Sequence, residues 1–155
     1  MTILWPGAVC ALLLMLSTPV RAELRDSSNP VPTAARMVLE RIDQAVTDGD
    51  HRALAALIHP DGVRIAMSPD PERIQELTPA QAHYYFKSLF QTHKTLSFEY
   101  RRHHTDAEAS RILVRVIWRI RGLDDASASL RRLLLTVVRY EDDWRLTEFT
   151  ELRGG

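Results

Sequence analysis

Cysteine, lysine and glycine are scarce in this 155-residue chain, and each scarcity excludes a class of function. Cys10 is the only cysteine and lies in the N-terminal segment, so the rest of the chain can form no disulfide, no thiolate zinc site and no cysteine nucleophile. A domain without such staples is held by its core alone. About 130 residues suffice for that, because a chain of this size buries roughly two-thirds of its unfolded surface. With six glycines there is no Gly-rich phosphate loop, and neither a Ser-centred nucleophile elbow nor a zinc-protease helix motif occurs. Charge of one sign is also missing: 20 Lys plus Arg balance 20 Asp plus Glu, without the basic excess of a nucleic-acid binder. Lys87 and Lys94 are the only lysines, so arginine supplies nearly all the positive charge. GC-rich codon usage accounts for that bias as simply as a need for planar, bidentate anion contacts.

No apolar run approaches the roughly 20 residues that span a bilayer. Residues 8–16 form a shorter one, which fits the apolar region of a secretory signal peptide. Pro19 breaks it, and Val20-Arg21-Ala22 places small residues where cleavage requires them. A signal peptide over residues 1–22, cleaved after Ala22, is the expectation. Export to a periplasm or the cell exterior follows from it, with no stable membrane span after cleavage. Residues 23–32 are polar with two prolines and read as a flexible lead-in to one domain over residues 33–153.

Thr33 is placed to cap a helix whose apolar residues, Ala35, Val38, Leu39, Ile42, Ala45 and Val46, recur at helical spacing. Gly49 closes it. Asp50 caps a second, shorter helix with Leu54, Leu57 and Ile58 apolar. A turn at His59-Pro60-Asp61-Gly62 leads to a short strand through Val63, Ile65 and Met67, and residues 68–77 read as a loop. Thr78-Pro79-Ala80-Gln81 is a capping box with proline at the first helical position. Its helix buries Ala82, Tyr85, Phe86, Leu89 and Phe90 and runs to about His93. The remainder alternates with period two: Leu96, Phe98 and Tyr100; then Ile112, Val114, Val116, Trp118 and Ile120; then residues 130–140; then residues 144–152. Such patterning predicts antiparallel strands with one buried face. The fold class is α+β, with three N-terminal helices packed on a strongly curved antiparallel sheet, a cone-shaped half-barrel.

This order resembles the nuclear transport factor two-like superfamily, also called the cystatin-like or polyketide-cyclase-like cone fold. The resemblance rests on Asp48-Gly49-Asp50 with Leu54-Ala55-Ala56-Leu57, on Val63-Arg64-Ile65, and on Gln81-Ala82 through to Phe90. It ends on Tyr140-Glu141-Asp142-Asp143-Trp144-Arg145-Leu146, which is similar to the family's closing hairpin. It implies a conical pocket between helices and sheet. Enzymes of the family, such as steroid isomerases and scytalone dehydratase, place an acid or base there. The superfold also hosts ligand binders and assembly modules, and the chain looks most like small secreted members without an assigned role.

The pocket candidates are Glu148, Tyr85, Trp118 and Phe98. Alternate counting from Trp144 puts Glu148 on the inner face as a carboxylate base, whereas a bulge after Leu146 would send Phe149 inward and Glu148 to solvent. Trp118 and Phe98 read as core or pocket wall, and Tyr85 as packing with its hydroxyl at the rim. His103, His104 and Asp106 do not make a metal site, because consecutive strand residues point to opposite faces. His51 and His59 lack a carboxylate at ligand spacing. Arg111, Arg115 and Arg119 share a face with Leu113 and Ile117. That face reads as a solvated surface with cross-strand pairs or as an interface, with Leu113, Ile117, Arg115 and Arg119 the interface candidates. No catalytic residue, cofactor or metal is assigned. The expected function is an exported, non-enzymatic domain that binds a small apolar or amphipathic ligand or an envelope protein partner, with a homodimer through the sheet face. The alternative is an isomerase-, dehydratase- or cyclase-like enzyme using a pocket carboxylate.

Overall fold

The computed structural model describes residues 30–67 and 73–152, so the proposed leader lies outside the described residues. The first helix, α1 (Thr33–Asp48), buries the six apolar residues that recur at helical spacing. Thr33 does not cap it. Pro32, with extended backbone, holds the cap position and accepts the Arg36 N–H through its carbonyl (3.0 Å), which leaves Thr33 inside the first turn. Gly49 ends the helix at φ 69°, and the N–H of Asp50 reaches back to the Ala45 carbonyl (2.8 Å). The Asp50 carboxylate then caps α2 (His51–Ala56) by accepting from the N–H groups of Arg52 (3.0 Å) and Ala53 (2.9 Å).

A turn through Gly62 enters β1 (Val63–Ala66). A Cβ at Gly62 would lie 2.6 Å from the Leu77 carbonyl, at φ 117°, so only glycine fits. That close approach exists because residues 68–77 are not all loop: β2 (Gln75–Leu77) pairs antiparallel with β1. Three residues are too few to show a period. The capping box of α3 (Pro79–Thr92) is complete, with Thr78 Oγ1 accepting from Gln81 N–H (3.3 Å) and Gln81 Oε1 from Thr78 N–H (3.0 Å).

Four long strands follow: β3 (His93–Thr105), β4 (Arg111–Gly122), β5 (Ala128–Tyr140) and β6 (Asp143–Glu151). The six strands form one curved, unclosed sheet in the order β2-β1-β6-β5-β4-β3. All neighbours are antiparallel except β1 and β6. The helices cover the inner face. Ile112, Val114, Val116, Trp118 and Ile120 of β4 are all buried there, as are Leu133, Leu135 and Val137 of β5.

Two bulges in β3 and one in β6 shift this alternation. The ladder between β3 and β4 slips at Leu96 and again at Arg101. Leu96 is the extra residue of the first slip and stands exposed instead of joining Phe98 inside. In β6, Glu148 pairs with Thr136 while Leu146 pairs with Val137, which leaves Thr147 as the extra residue.

Candidate functional site

The cone is filled. Trp118, Phe86 and Phe149 are fully buried and Phe98 is 6% exposed. Trp118 meets Phe98 and Phe149 edge-on, with ring centroids 6.1 and 6.0 Å apart, and Phe149 meets Phe86 at 5.4 Å. The indole N–H is satisfied by Thr95 Oγ1 at 3.0 Å. Of the four sequence-nominated pocket residues, Trp118 and Phe98 are thus brought together as packing.

Glu148 does not join them. The Thr147 bulge turns Phe149 inward and puts Glu148 on the outer face, beside Thr136 and in register with Arg64. Its carboxylate accepts from Thr136 Oγ1 (2.9 Å) and Thr150 Oγ1 (3.2 Å). Tyr85 lies on the other side of the sheet, partly buried, near Arg131 and Glu151. Burial pushes its phenol up from the ordinary value; the Arg131 guanidinium works against that shift and the Glu151 carboxylate with it. Arg131 faces inward opposite Trp118, donating to Glu151 (2.8 Å) and to the Met67 carbonyl (3.0 Å). The signal that separates it from Arg132 is its register with Trp118.

A groove unforeseen from the sequence opens between the start of α1 and β3, with a volume of about 520 Å³. Val31, Leu39 and Val114 give it an apolar floor, and Arg36, Arg101, Arg102 and His103, with the single carboxylate of Glu40, a mainly basic rim. The Arg101 bulge builds this rim, because the slip carries His103 into register with Val114 on the inner face. One wall is pinned by the Tyr100 hydroxyl, which donates to the Leu39 carbonyl at 2.5 Å. Burial, reinforced by the Asp43 carboxylate, pushes the Tyr100 phenol far above its ordinary range, so it stays a donor.

Chains of known structure share this architecture. An NTF2-like protein of unknown function from Pseudomonas putida KT2440 superimposes with a TM-score of 0.62 at 18% identity, over 81% of this chain and 90% of its own. A domain of unknown function with a cystatin-like fold from Nostoc punctiforme gives 0.60 at 13% identity, over 79% and 76%. A Thiobacillus denitrificans protein, provisionally named a calcium/calmodulin-dependent protein kinase type II association domain, gives 0.62 at 13%, over 81% and 100%. The chain has the NTF2-like fold. No protein-family model and no curated protein matches the sequence.

The outer face of the NTF2-like sheet carries the interface candidates. Leu113 and Ile117 are half-buried there, and Arg115 and Arg119 are exposed. Leu134 and Val138 of β5 extend the apolar stripe, and Arg132 stands in register with Ile117. Across β3, Arg102 stands directly opposite Arg115. Two depressions, about 390 and 200 Å³, border Arg102 and Arg115 over Leu113, Ile117, Leu134 and Leu152.

The histidines of the NTF2-like domain lie apart. His103 is in register with Val114 inside and His104 with Leu113 outside. Asp106 is occupied in its turn, accepting from the N–H groups of Ser110 (2.6 Å) and Arg111 (3.1 Å). These bonds and that of the Ser110 hydroxyl, the largest influence, hold its carboxyl below the usual range. His51 meets His83 (ring centroids 4.7 Å), and slight burial followed by the His83 charge pushes its pKa down. His59 packs on Tyr140 (4.7 Å). Among the described residues no three His, Cys, Asp or Glu side chains converge as a metal site, and no helix is long and apolar enough to cross a membrane.

Proposed function

We propose that this chain is an exported, non-enzymatic binding domain whose ligand is a small amphipathic anion held in the groove between α1 and β3. The observation that carries this reading is the apolar floor of Val31, Leu39 and Val114 beneath Arg36 and Arg102. The volume of about 520 Å³ falls in the range of roughly 300–1,000 Å³ common for small-molecule sites. Neither guanidinium has an ion-pair partner among the described residues, so both are available to a carboxylate or sulfate headgroup. The acid–base alternative is weakened because its nominated carboxylate, Glu148, stands across the sheet from Tyr85. The proposed export rests on the apolar run of residues 8–16 and the small residues before Glu23.

Native mass spectrometry of the protein from the exported fraction tests export and occupancy together. The expected species has lost residues 1–22 and binds added dodecanoate in a 1:1 complex, with dodecanol at least about tenfold weaker. Val31→Trp fills the groove and should abolish the complex. Equal dodecanoate binding by Val31→Trp and the native chain would exclude the groove. A full-length mass in the exported fraction would exclude the cleavage site.

A further inference from the structure

The outer face of β3, β4 and β5 repeats a simple pattern. Along β4 it reads Arg111, Leu113, Arg115, Ile117, Arg119, with arginine and apolar residue alternating every second position. Same-face neighbours on a strand are about 7 Å apart, so successive arginines stand about 13 Å apart with an apolar side chain midway. Next to this row, Arg102 faces Arg115 directly across the strands and Arg132 faces Ile117. Like charges directly opposite on a sheet are destabilising. Among the described residues nothing compensates them. Among the described residues of β3, β4 and β5, Glu99 is the carboxylate on this face, and it is taken by Arg101 at 2.6 Å; Glu148 stands on β6, beside Arg64 and Arg111 and away from Arg102, Arg115 and Arg132. Arg102, Arg115 and Arg132 have no ion-pair partner among the described residues.

We infer that this face docks an acidic protein segment that presents carboxylates at the arginines and apolar side chains between them. Uncompensated arginines over an apolar stripe are complementary to that chemistry. A guanidinium pairs with a carboxylate through two parallel hydrogen bonds, which lysine cannot match. Depressions of about 390 and 200 Å³ beside Arg102 and Arg115 leave room for more than one side chain of a docked segment. A second copy of the chain is a poor occupant, because face-to-face pairing sets arginine rows against each other. The face meets the groove by α1 at Arg102, which borders both, whereas Arg115 and Arg132 border the outer face alone.

The test uses a fluorescent peptide of three Ser-Glu-Ser-Leu repeats, which as an extended strand shows Glu and Leu alternating on one face. Anisotropy titration should show binding that a Gln-for-Glu peptide lacks. Arg115→Glu and Arg132→Glu should each weaken it by about tenfold or more. Arg41→Glu, exposed on α1, should leave it unchanged. Because Arg115→Glu converts the like pair with Arg102 into an opposite pair, Tm should rise by about 2–4 °C as binding falls. A merely structural role would move both in the same direction. No binding of the Glu peptide, or unchanged binding by both variants, would overturn the inference. So would sedimentation of a dimer that Arg115→Glu dissociates. Retention on phosphatidylglycerol vesicles through the same arginines, without peptide binding, would assign the face to lipid instead. Dodecanoate binding by Arg132→Glu, which lies opposite Ile117 and does not line the groove, reports on the groove independently, so failure of one site does not mask the other.

Discussion

The two faces of one sheet obey different rules. Inside, every second residue of β4 is apolar and buried, and the large rings of Phe86, Phe98, Trp118 and Phe149 meet edge to edge. Outside, the intervening residues of β4 are arginines and half-buried aliphatics, and Arg115 stands opposite Arg102. The same strands thus pack the core on one side and carry an arginine row on the other. The four rings belong to the core, and depressions lie by α1 and on the outer face.

The sharpest way to break this division is to put a charge where the Thr147 bulge turns a ring inward. Phe149→Glu would cost the packing of a fully buried phenylalanine, about 3–5 kcal/mol, and bury a carboxylate as well. The expected result is a chain that fails to give a cooperative thermal transition. A native-like melting curve would show that this position of β6 is not held on the inner face.

Next in size is a contrast between neighbours on β4. Trp118→Ala should cost about 3–5 kcal/mol in urea unfolding, whereas Ile117→Ala, one residue away and half-buried on the outside, should cost less than about 1.5. Similar values for the two would erase the distinction between the faces.

Tyr100→Phe should destabilise by about 1 kcal/mol, because the Leu39 carbonyl loses its phenolic donor while the ring still packs. Hydrogen exchange should show the loss along α1, next to the groove.

A smaller effect depends on pH. In the unfolded chain the Asp106 carboxyl titrates near about 3.9, and in the folded chain its pKa is lowered, chiefly by the Ser110 hydroxyl and then the Arg111 N–H. Its contribution is therefore fully present above the unfolded value and is lost as pH falls through the folded one. Asp106→Asn should flatten the fall of Tm between about pH 5 and pH 2. An identical fall in both proteins would mean that the turn does not hold its carboxylate. Smallest of all, Arg119→Ser on the open outer row should change stability by no more than about 0.5 kcal/mol.

Much of this division can be read in the sequence. The period-two rows of β4 and β5 and the helical stripe of α1 are strong signals, because each runs long enough for its phase to be unambiguous. The caps at Asp50 and Thr78 are legible for a different reason: they depend on local chemistry alone. What escapes is set by single residues and distant contacts. A bulge adds one residue and inverts the phase beyond it, so Leu96, His103 and Glu148 cannot be placed until the partner strand is known. The groove joins the start of α1 to the middle of β3, more than 60 residues later. No local pattern marks such a meeting. The outer arginine row was visible as a row, but the opposition of Arg102 and Arg115 appears only in the register.

The position of β6 has a consequence for how the chain can acquire its shape. It is the last strand in sequence, yet it lies in the middle of the sheet, joining β1 to β5. It also braces the end of α2, where the Leu146 N–H and C=O bond to Leu57 (2.8 Å) and His59 (3.0 Å). Until residues 143–151 have left the ribosome, the strands made earlier remain two separate pieces with an open gap between them. Vectorial synthesis therefore delivers the keystone last. The domain must hold the apolar surfaces of those two pieces in a loose state until that strand is made.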